Sequence, residues 1–422
     1  MTTSTRQPIP VVLQQHTDDA VSLRGTRAVL VRAPHVKLHL LQRLDERLVA
    51  HLDGLAVGGD AGRAACVAAL ETPSRGTLFT ATVVALEMRD GELLRRLLAV
   101  AEAEPQARSG IAAGFGWVSA ASLRGVTKEL LASPQPFQRD LGLATCAMHH
   151  VAPGAPLDAA LTEKPPSIVA MRVAASLGHV QSLPACQRAA ADADADLVRR
   201  FSAARAALLL GDRDIAVRAL AELSKAPGPD RAKALALVIK VLAPEQVHAL
   251  LKPLSQDPAQ LHTLIRGTGA AGDPHYVPWL IKQMADLKLT RLAGEAFSTI
   301  TGLDLAYLDL DRKPPEGELL GPSDDPANSE VAMDEDDSLP WPDPDKIAIW
   351  WQVHGARFAP GTRYFVGEPP SAAHCMSVLK TGFQRERAAA AEYLCLLQPG
   401  TRLFNVAAPA WRQQRLLAQM GA

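Results

Sequence analysis

The sequence predicts an all-α protein: a right-handed α-solenoid of stacked helix pairs, with a disordered acidic insertion before the last helical unit. Three observations predict it. Ile111, Leu141, Met171, Phe201, Ala232, Leu261 and Leu292 recur at steps of 30, 30, 30, 31, 29 and 31 residues, and a fixed period of this size marks repeated supersecondary units. Each position opens an Ala- and Leu-rich stretch, such as MRVAASLGHV or RLAGEAFSTI. Hydrophobic residues make up 48% of the chain but aromatics only 5%, the balance expected where Ala and Leu pack helix on helix. A length of 422 residues exceeds one ordinary core, a limit that a solenoid escapes by growing lengthwise.

The elements follow in order. Residues 1–62 are expected to form a tail, disordered to about residue 17, and then a two-helix cap over the apolar end of the array. The second helix is marked by Leu41, Leu44, Leu48, Leu52 and Leu55, a single apolar stripe. Asp45, Glu46 and Arg47 fall between the stripe positions and are expected in solvent, and Gly54, Gly58 and Gly59 end the helix. Residues 63–303 are expected to pair into the solenoid. In QLHTLIRGTGAAGDPHYVPWLIKQM a first helix ends in glycines and Asp273-Pro274 turns the chain, with Pro placed where a helix start needs no N–H. The second helix runs through Val277, Leu280, Ile281 and Met284. Gly211 and Asp212 turn the chain in the same way two units earlier, and Arg200, Arg231 and Arg291 hold equivalent places.

Residues 304–345 break the rhythm. They are rich in Pro and Asp and carry 14 acidic residues against Arg312 and Lys313, a charge of −12 in a chain of net −1. Such a stretch buries too little apolar surface to order itself, although its LPWP piece has the makings of a docking segment. Residues 346–422, with a charge of +6, are expected to form a C-terminal helical unit.

The unit GAAGDPHYVPWLIKQM, with RLAGEAFSTITG after it, resembles the HEAT-like repeats of the phycobiliprotein-lyase type over roughly residues 78–303. LDERLVAHLDGLAVGG, SLPWPDPDKIAIWW, GTRYFVGEPP and FNVAAPAWRQQR, in that order, resemble a bacterial family of HEAT-like repeat proteins often encoded near type VI secretion genes. The resemblance implies a HEAT-like solenoid with a cytosolic accessory role in type VI secretion. It implies no catalytic residues.

The chemistry-bearing motifs are few. Gly267-Thr-Gly269-Ala-Ala-Gly272 spells GxGxxG, but a dinucleotide site needs a strand before it, and the repeat period places these glycines at an interhelix turn. His35 and His39 stand four apart with no third ligand, and His149-His150 is weaker as a metal signal. No phosphate loop and no GxSxG elbow occurs. The five cysteines, Cys66, Cys146, Cys186, Cys375 and Cys395, are odd in number, widely spaced and without a CxxC pair, as in a reduced cytoplasmic protein. No run of apolar residues is long enough to span a membrane, and the N-terminus lacks the pattern of a signal peptide.

The expected function is therefore a non-enzymatic protein–protein scaffold or adaptor, without cofactor or metal. The partner implied by the resemblance is a type VI secretion effector or spike component, held before loading, or a toxin to be neutralised. The residues expected to meet partners are the acidic run Asp334, Glu335, Asp336 and Asp337, the aromatics Trp341, Trp350, Trp351 and Tyr364, and the cations Arg363, Arg385 and Arg387. Ile347, Trp350 and Trp351 also fit one face of a helix, which points the two indoles toward the core. Two alternatives remain open: a HEAT-like alkylpurine DNA glycosylase, which the +11 carried outside the insertion makes worth weighing, and a chromophore lyase, suggested by the repeat class alone.

Overall fold

The computed structural model describes residues 8–315, 336 and 338–420. Among them lie 22 α-helices and one pair of two-residue strands, so the expected all-α class is observed. No helix among the described residues is long and apolar enough to cross a membrane. Two compact units divide the chain. The first takes Met1–Arg32, Val36–Leu177 and Asn405–Ala422, and the second takes Ala33–His35 and Gly178–Phe404.

The first unit opens with α1 (Pro10–Leu30) and α2 (Leu38–Val57), then α3 (Asp60–Ala69), α4 (Arg75–Glu87), α5 (Gly91–Ala103), α6 (Arg108–Trp117), α7 (Val126–Leu131), α8 (Pro136–Met148), α9 (Ala155–Thr162) and α10 (Ile168–Leu177). Disorder was expected as far as residue 17, yet α1 starts at Pro10. Leu13, Thr17, Ala20, Leu23 and Arg27 form its buried stripe, and Pro10 stands where a helix start needs no N–H. The Leu stripe of α2 is buried as expected. Asp45 is not in solvent: it is 1% exposed and ion-paired with Arg27. A helix that is buried all round shows no polar face to read, and α4 is such a helix, buried from Gly76 through Leu86 against α1, α3, α5 and α6. Helices α4, α6, α8 and α10 pack one on the next.

The second unit contains α11 (Leu183–Ala191), α12 (Leu197–Leu209), α13 (Ile215–Leu223), α14 (Arg231–Ile239), α15 (Pro244–Leu251), α16 (Leu261–Ala271), α17 (Val277–Gln283) and α18 (Thr290–Thr301). Strands β1 (Asp311–Arg312) and β2 (Trp341–Pro342) follow, then α19 (Pro344–His354), α20 (Ala372–Thr381) and α21 (Gln384–Leu397). Here α12, α14, α16 and α18 pack in succession. The seven periodic positions of the sequence fall on α6, α8, α10, α12, α14, α16 and α18, one on every second helix. The 30-residue period is thus the length of two helices and their turns.

The GxGxxG glycines serve packing, though not all at a turn as expected. Gly267 and Gly269 lie inside α16, and a Cβ on Gly269 would come within 3.0 Å of Ala296 Cα on α18. Only Gly272 makes the turn, as the left-handed C-cap of α16. A helix, not a strand, precedes the motif.

Of the insertion expected to be disordered, residues 316–335 and 337 lie outside the described residues, while its described ends are built into the fold. Leu305, Leu310, Leu339 and Trp341 are buried. The strands pair antiparallel, Asp311 opposite Pro342 and Arg312 opposite Trp341, so the insertion leaves and returns at one point. The LPWP piece docks against α18, with Pro342 over Gly294. Asp334, Glu335 and Asp337 lie outside the described residues.

The chain then runs back over the C-terminal ends of the second unit's packed helices. Val366 N–H donates to Thr299 O of α18 at 2.7 Å, and Tyr364 N–H donates to Gly272 O beyond α16 at 2.8 Å. The Arg363 guanidinium donates to the carbonyls of Ile239, Lys240 and Leu242, which end α14. Farther along, Pro399 abuts Gly211 beyond α12, and Gly400 abuts Gly178. A helix leaves its last carbonyls without internal partners, and this return run supplies several of them.

The last helix, α22 (Ala410–Met420), belongs to the first unit, where it packs on α2. The Arg27 guanidinium donates to Ala407 O and Ala408 O, and Ala410 N–H donates to Asp45 Oδ2 at 2.7 Å. Arg412 is buried and donates to the carbonyls of Gly116, Trp117 and Val118, which end α6.

Candidate protein-binding groove

The second unit holds a cavity of about 1150 Å³. Its walls come from α14, α16, α18, the Leu303–Tyr307 turn, the Ser338–Pro340 segment and α21. Small residues line much of it: Ala232 and Ala236 on α14, Gly267 and Ala270 on α16, Gly294 and Ala296 on α18. Gly267 and Gly294 serve close packing, since a Cβ there would meet Leu251 and Pro342. The volume lies slightly above the range of roughly 300–1,000 Å³ usual for small-molecule sites.

Two carboxylates, Glu295 on this wall and Glu392 on α21 next to the lining residue Tyr393, behave differently because of their neighbours. Glu392 of α21 accepts from Lys240 Nζ at 2.6 Å and from Arg205 at 3.2 Å. Burial pushes its pKa up, but the two cations outweigh burial and the carboxyl ends below its ordinary value. Glu295 of α18 accepts from Arg385 Nη1 at 2.8 Å through both oxygens. Burial prevails there and raises its pKa, Arg385 opposing and the Asp336 charge assisting. Arg385 itself is held above its ordinary value, because burial is outweighed by Glu295 and Asp336 together. Both partners therefore move up, Glu295 because burial prevails over Arg385 and Arg385 because two carboxylates prevail over burial.

Asp336 is the one described member of the acidic run, and three arginines surround it. Arg266 Nη2 donates to its Oδ2 at 3.0 Å and its Oδ1 at 3.1 Å. Arg385 Nη1 donates to Oδ1 at 3.1 Å, and Arg291 Nη1 donates to the backbone carbonyl at 3.1 Å. Arg291 also lies over the Trp341 ring, 5.1 Å from its centroid.

The other expected contact residues are built into the fold. Arg387 is fully buried, 0% exposed, and donates to Leu379 O and Gln384 Oε1; burial pushes its pKa down to about 10. It has no surface to offer a partner. Trp341 is 5% exposed, and its place is likewise in the interior. Trp350 and Trp351 both meet Phe297 edge-on, at 6.1 and 6.4 Å between centroids, beside the wholly buried Ile347, in agreement with their shared helix face. Arg363 and Tyr364 belong to the return run described above. Of the expected set, Arg385 and Tyr364 line the cavity, and Asp336 bonds to Arg385 at its edge.

Sequence reasoning missed Arg266, Glu295, Lys240 and Glu392. The readable signal was a lone acid in an apolar run, Glu295 in RLAGEAFSTI and Glu392 in AAAAEYLCLL. Charged residues are rarely buried unless paired.

No metal centre emerges: no group of three or more His, Cys, Asp or Glu is placed to hold an ion among the described residues. His35 precedes α2, which begins at Leu38, so it does not share a helix turn with His39. His149 Nε2 lies 2.8 Å from Phe115 O, and burial depresses its pKa. All five cysteines are buried and free. No protein-family model, curated protein or solved structure matches this chain.

Proposed function

We propose that the chain is a non-enzymatic adaptor that holds a partner protein in the groove of its second unit. The observation that carries this reading is the groove itself: it is slightly larger than the usual small-molecule site, floored by small residues and edged by paired charges. Nucleic acid is a poor fit, because Glu295, Asp304, Asp311 and Glu386 offset Lys233, Lys240, Arg266 and Arg385 in the same wall and leave no net positive charge for a phosphate backbone.

The finer architecture belongs to the same proposal: a right-handed solenoid of HEAT-like pairs. The successive packing of α4, α6, α8 and α10, and of α12, α14, α16 and α18, supports it, since stacked repeats touch mainly their neighbours. The setting comes from the resemblance: a cytoplasmic accessory of type VI secretion, binding an effector or a spike component. Five buried free thiols accord with a reducing compartment.

The test is affinity purification of the full chain from its bacterial host, with retained proteins identified by mass spectrometry. The expected result is a secretion spike component or effector that stays bound at about 0.15 M salt, where exposed charges are screened beyond ~8 Å. Recovery of nucleic acid alone, released between roughly 50 and 200 mM salt, or of nothing, overturns the reading.

A further inference from the structure

We propose that the edge of the groove recognises a short partner segment in which an acidic residue precedes an apolar, proline-flanked anchor, and that the chain's own Asp336 and residues 338–342 occupy this place as a tethered stand-in. The inference rests on the adaptor reading and specifies its ligand.

Four observations converge on it. Asp336 is received like a bound carboxylate, with both oxygens on Arg266 and one shared with Arg385. Charge-assisted arginine contacts to both carboxylate oxygens are a strong mode of acid recognition. Arg291 reads the same residue through its backbone carbonyl, a contact available to any peptide. Three residues on, Leu339 is 8% exposed and its N–H donates to Asp336 O at 3.0 Å, closing a turn. Trp341 follows at 5% exposed beneath the Arg291 guanidinium, and Pro342 packs at Gly294. The pattern is Asp, two residues, Leu-Pro-Trp-Pro: one charged contact and two apolar anchors, the composition of a linear docking motif.

The segment is also imperfectly satisfied. The Trp341 indole N–H is buried and finds no acceptor among the described residues. A buried donor without a partner is unfavourable, so this pose is easier to exchange than a fully bonded one. Ser338, Leu339 and Pro340 form part of the cavity wall, so displacing them widens the groove for the incoming segment. The β1–β2 pairing, with Asp343 N–H donating to Leu310 O, tethers the displaced piece at its base. A partner therefore competes with an intramolecular ligand at high effective concentration, a built-in threshold on binding.

The experiment is fluorescence anisotropy with a labelled peptide of the sequence DDSLPWPD added to the full chain. The receptor is the wild type, the Asp336→Ala variant, and Asp336→Ala combined with Leu339→Ala. Circular dichroism checks each fold, and the single variant serves if the double variant unfolds. The expected result is at least about tenfold tighter binding to the loosened variants than to the wild type, roughly 1.4 kcal/mol. Adding Arg266→Glu, a partly exposed position, abolishes that binding, and a scrambled peptide does not bind. Equal binding to wild type and loosened variants, no binding to either, or binding indifferent to Arg266→Glu overturns the inference. If a host protein co-purifies equally with the Arg266→Glu chain, the adaptor reading stands while this inference falls.

Discussion

Arg27 of α1 and Asp45 of α2 form a buried ion pair, Nε to Oδ1 at 2.6 Å, and between them they hold the C-terminal segment by three further hydrogen bonds. Asp45→Ala leaves the Arg27 charge without its carboxylate inside the unit and releases Ala410 N–H. Breaking one side of a buried pair costs about 3–5 kcal/mol. Chemical denaturation of the variant should show a loss of that size, and trypsin should cut at Arg412 and Arg415 under conditions that spare the wild type. An unchanged midpoint with protected arginines would sink the assignment.

Glu392 gives a pH signature. Its folded pKa lies below the ordinary glutamate value because Lys240 and Arg205 prevail over burial. A depressed carboxyl contributes stability above its unfolded pKa and loses it as pH falls through the folded value. Thermal midpoints of the wild type and Glu392→Gln, followed from about pH 7 to about pH 3, should therefore converge on the acid side of ~4.3, the ordinary glutamate value. Parallel curves would mean that the pair contributes nothing.

Gly272 and Gly25 should respond oppositely to alanine. Gly272 has φ +69°, and a Cβ there would collide with Tyr364 O. Backbone strain of about 1–3 kcal/mol then adds to the displacement of the return run, and Gly272→Ala should lower the melting temperature. Gly25 lies within α1, and a Cβ there meets nothing within 4 Å. Gly25→Ala should stabilise by about 0.5–1 kcal/mol through helix propensity. The same sign at both sites would refute the argument.

The cysteines should be silent in the folded protein. Burial pushes the thiols of Cys66, Cys186 and Cys395 up to about 12 and Cys375 to about 11, and it raises Cys146 as well. The thiolate is the reactive species, so an Ellman titration near neutral pH should release colour only after denaturant is added. Rapid reaction of any thiol in native buffer would contradict its burial.

Repetition and amphipathic stripes were legible in the sequence. The seven periodic positions land on alternate helices because each helix pair with its turns takes the same length of chain. The Leu stripe of α2 was readable because its opposite face is polar. Three features were not legible, each for a physical reason. Asp45 looks solvent-facing between stripe leucines, and its burial comes from distant partners, Arg27 and Ala410, that the local pattern does not show. Composition marks the acidic stretch as unstructured, yet Leu339 and Trp341 suffice to anchor its end. The groove is lined by small residues such as Ala232, Ala236 and Ala270, whose placement has no sequence period to announce it.

The return run over the helix ends sets a rule of length. An array of helix pairs by itself tolerates gain or loss of a pair, since each meets only its neighbours. Here Val366, Tyr364, Arg363 and Pro399 meet the ends of α18, α16, α14 and α12 in turn. Duplicating one pair of the second unit would leave a helix end with no residue of the run to meet it, while deleting one would leave the run with slack. The second unit is therefore sized by two measures that must agree, and its descendants should vary by substitution and surface-loop insertion rather than by copy number.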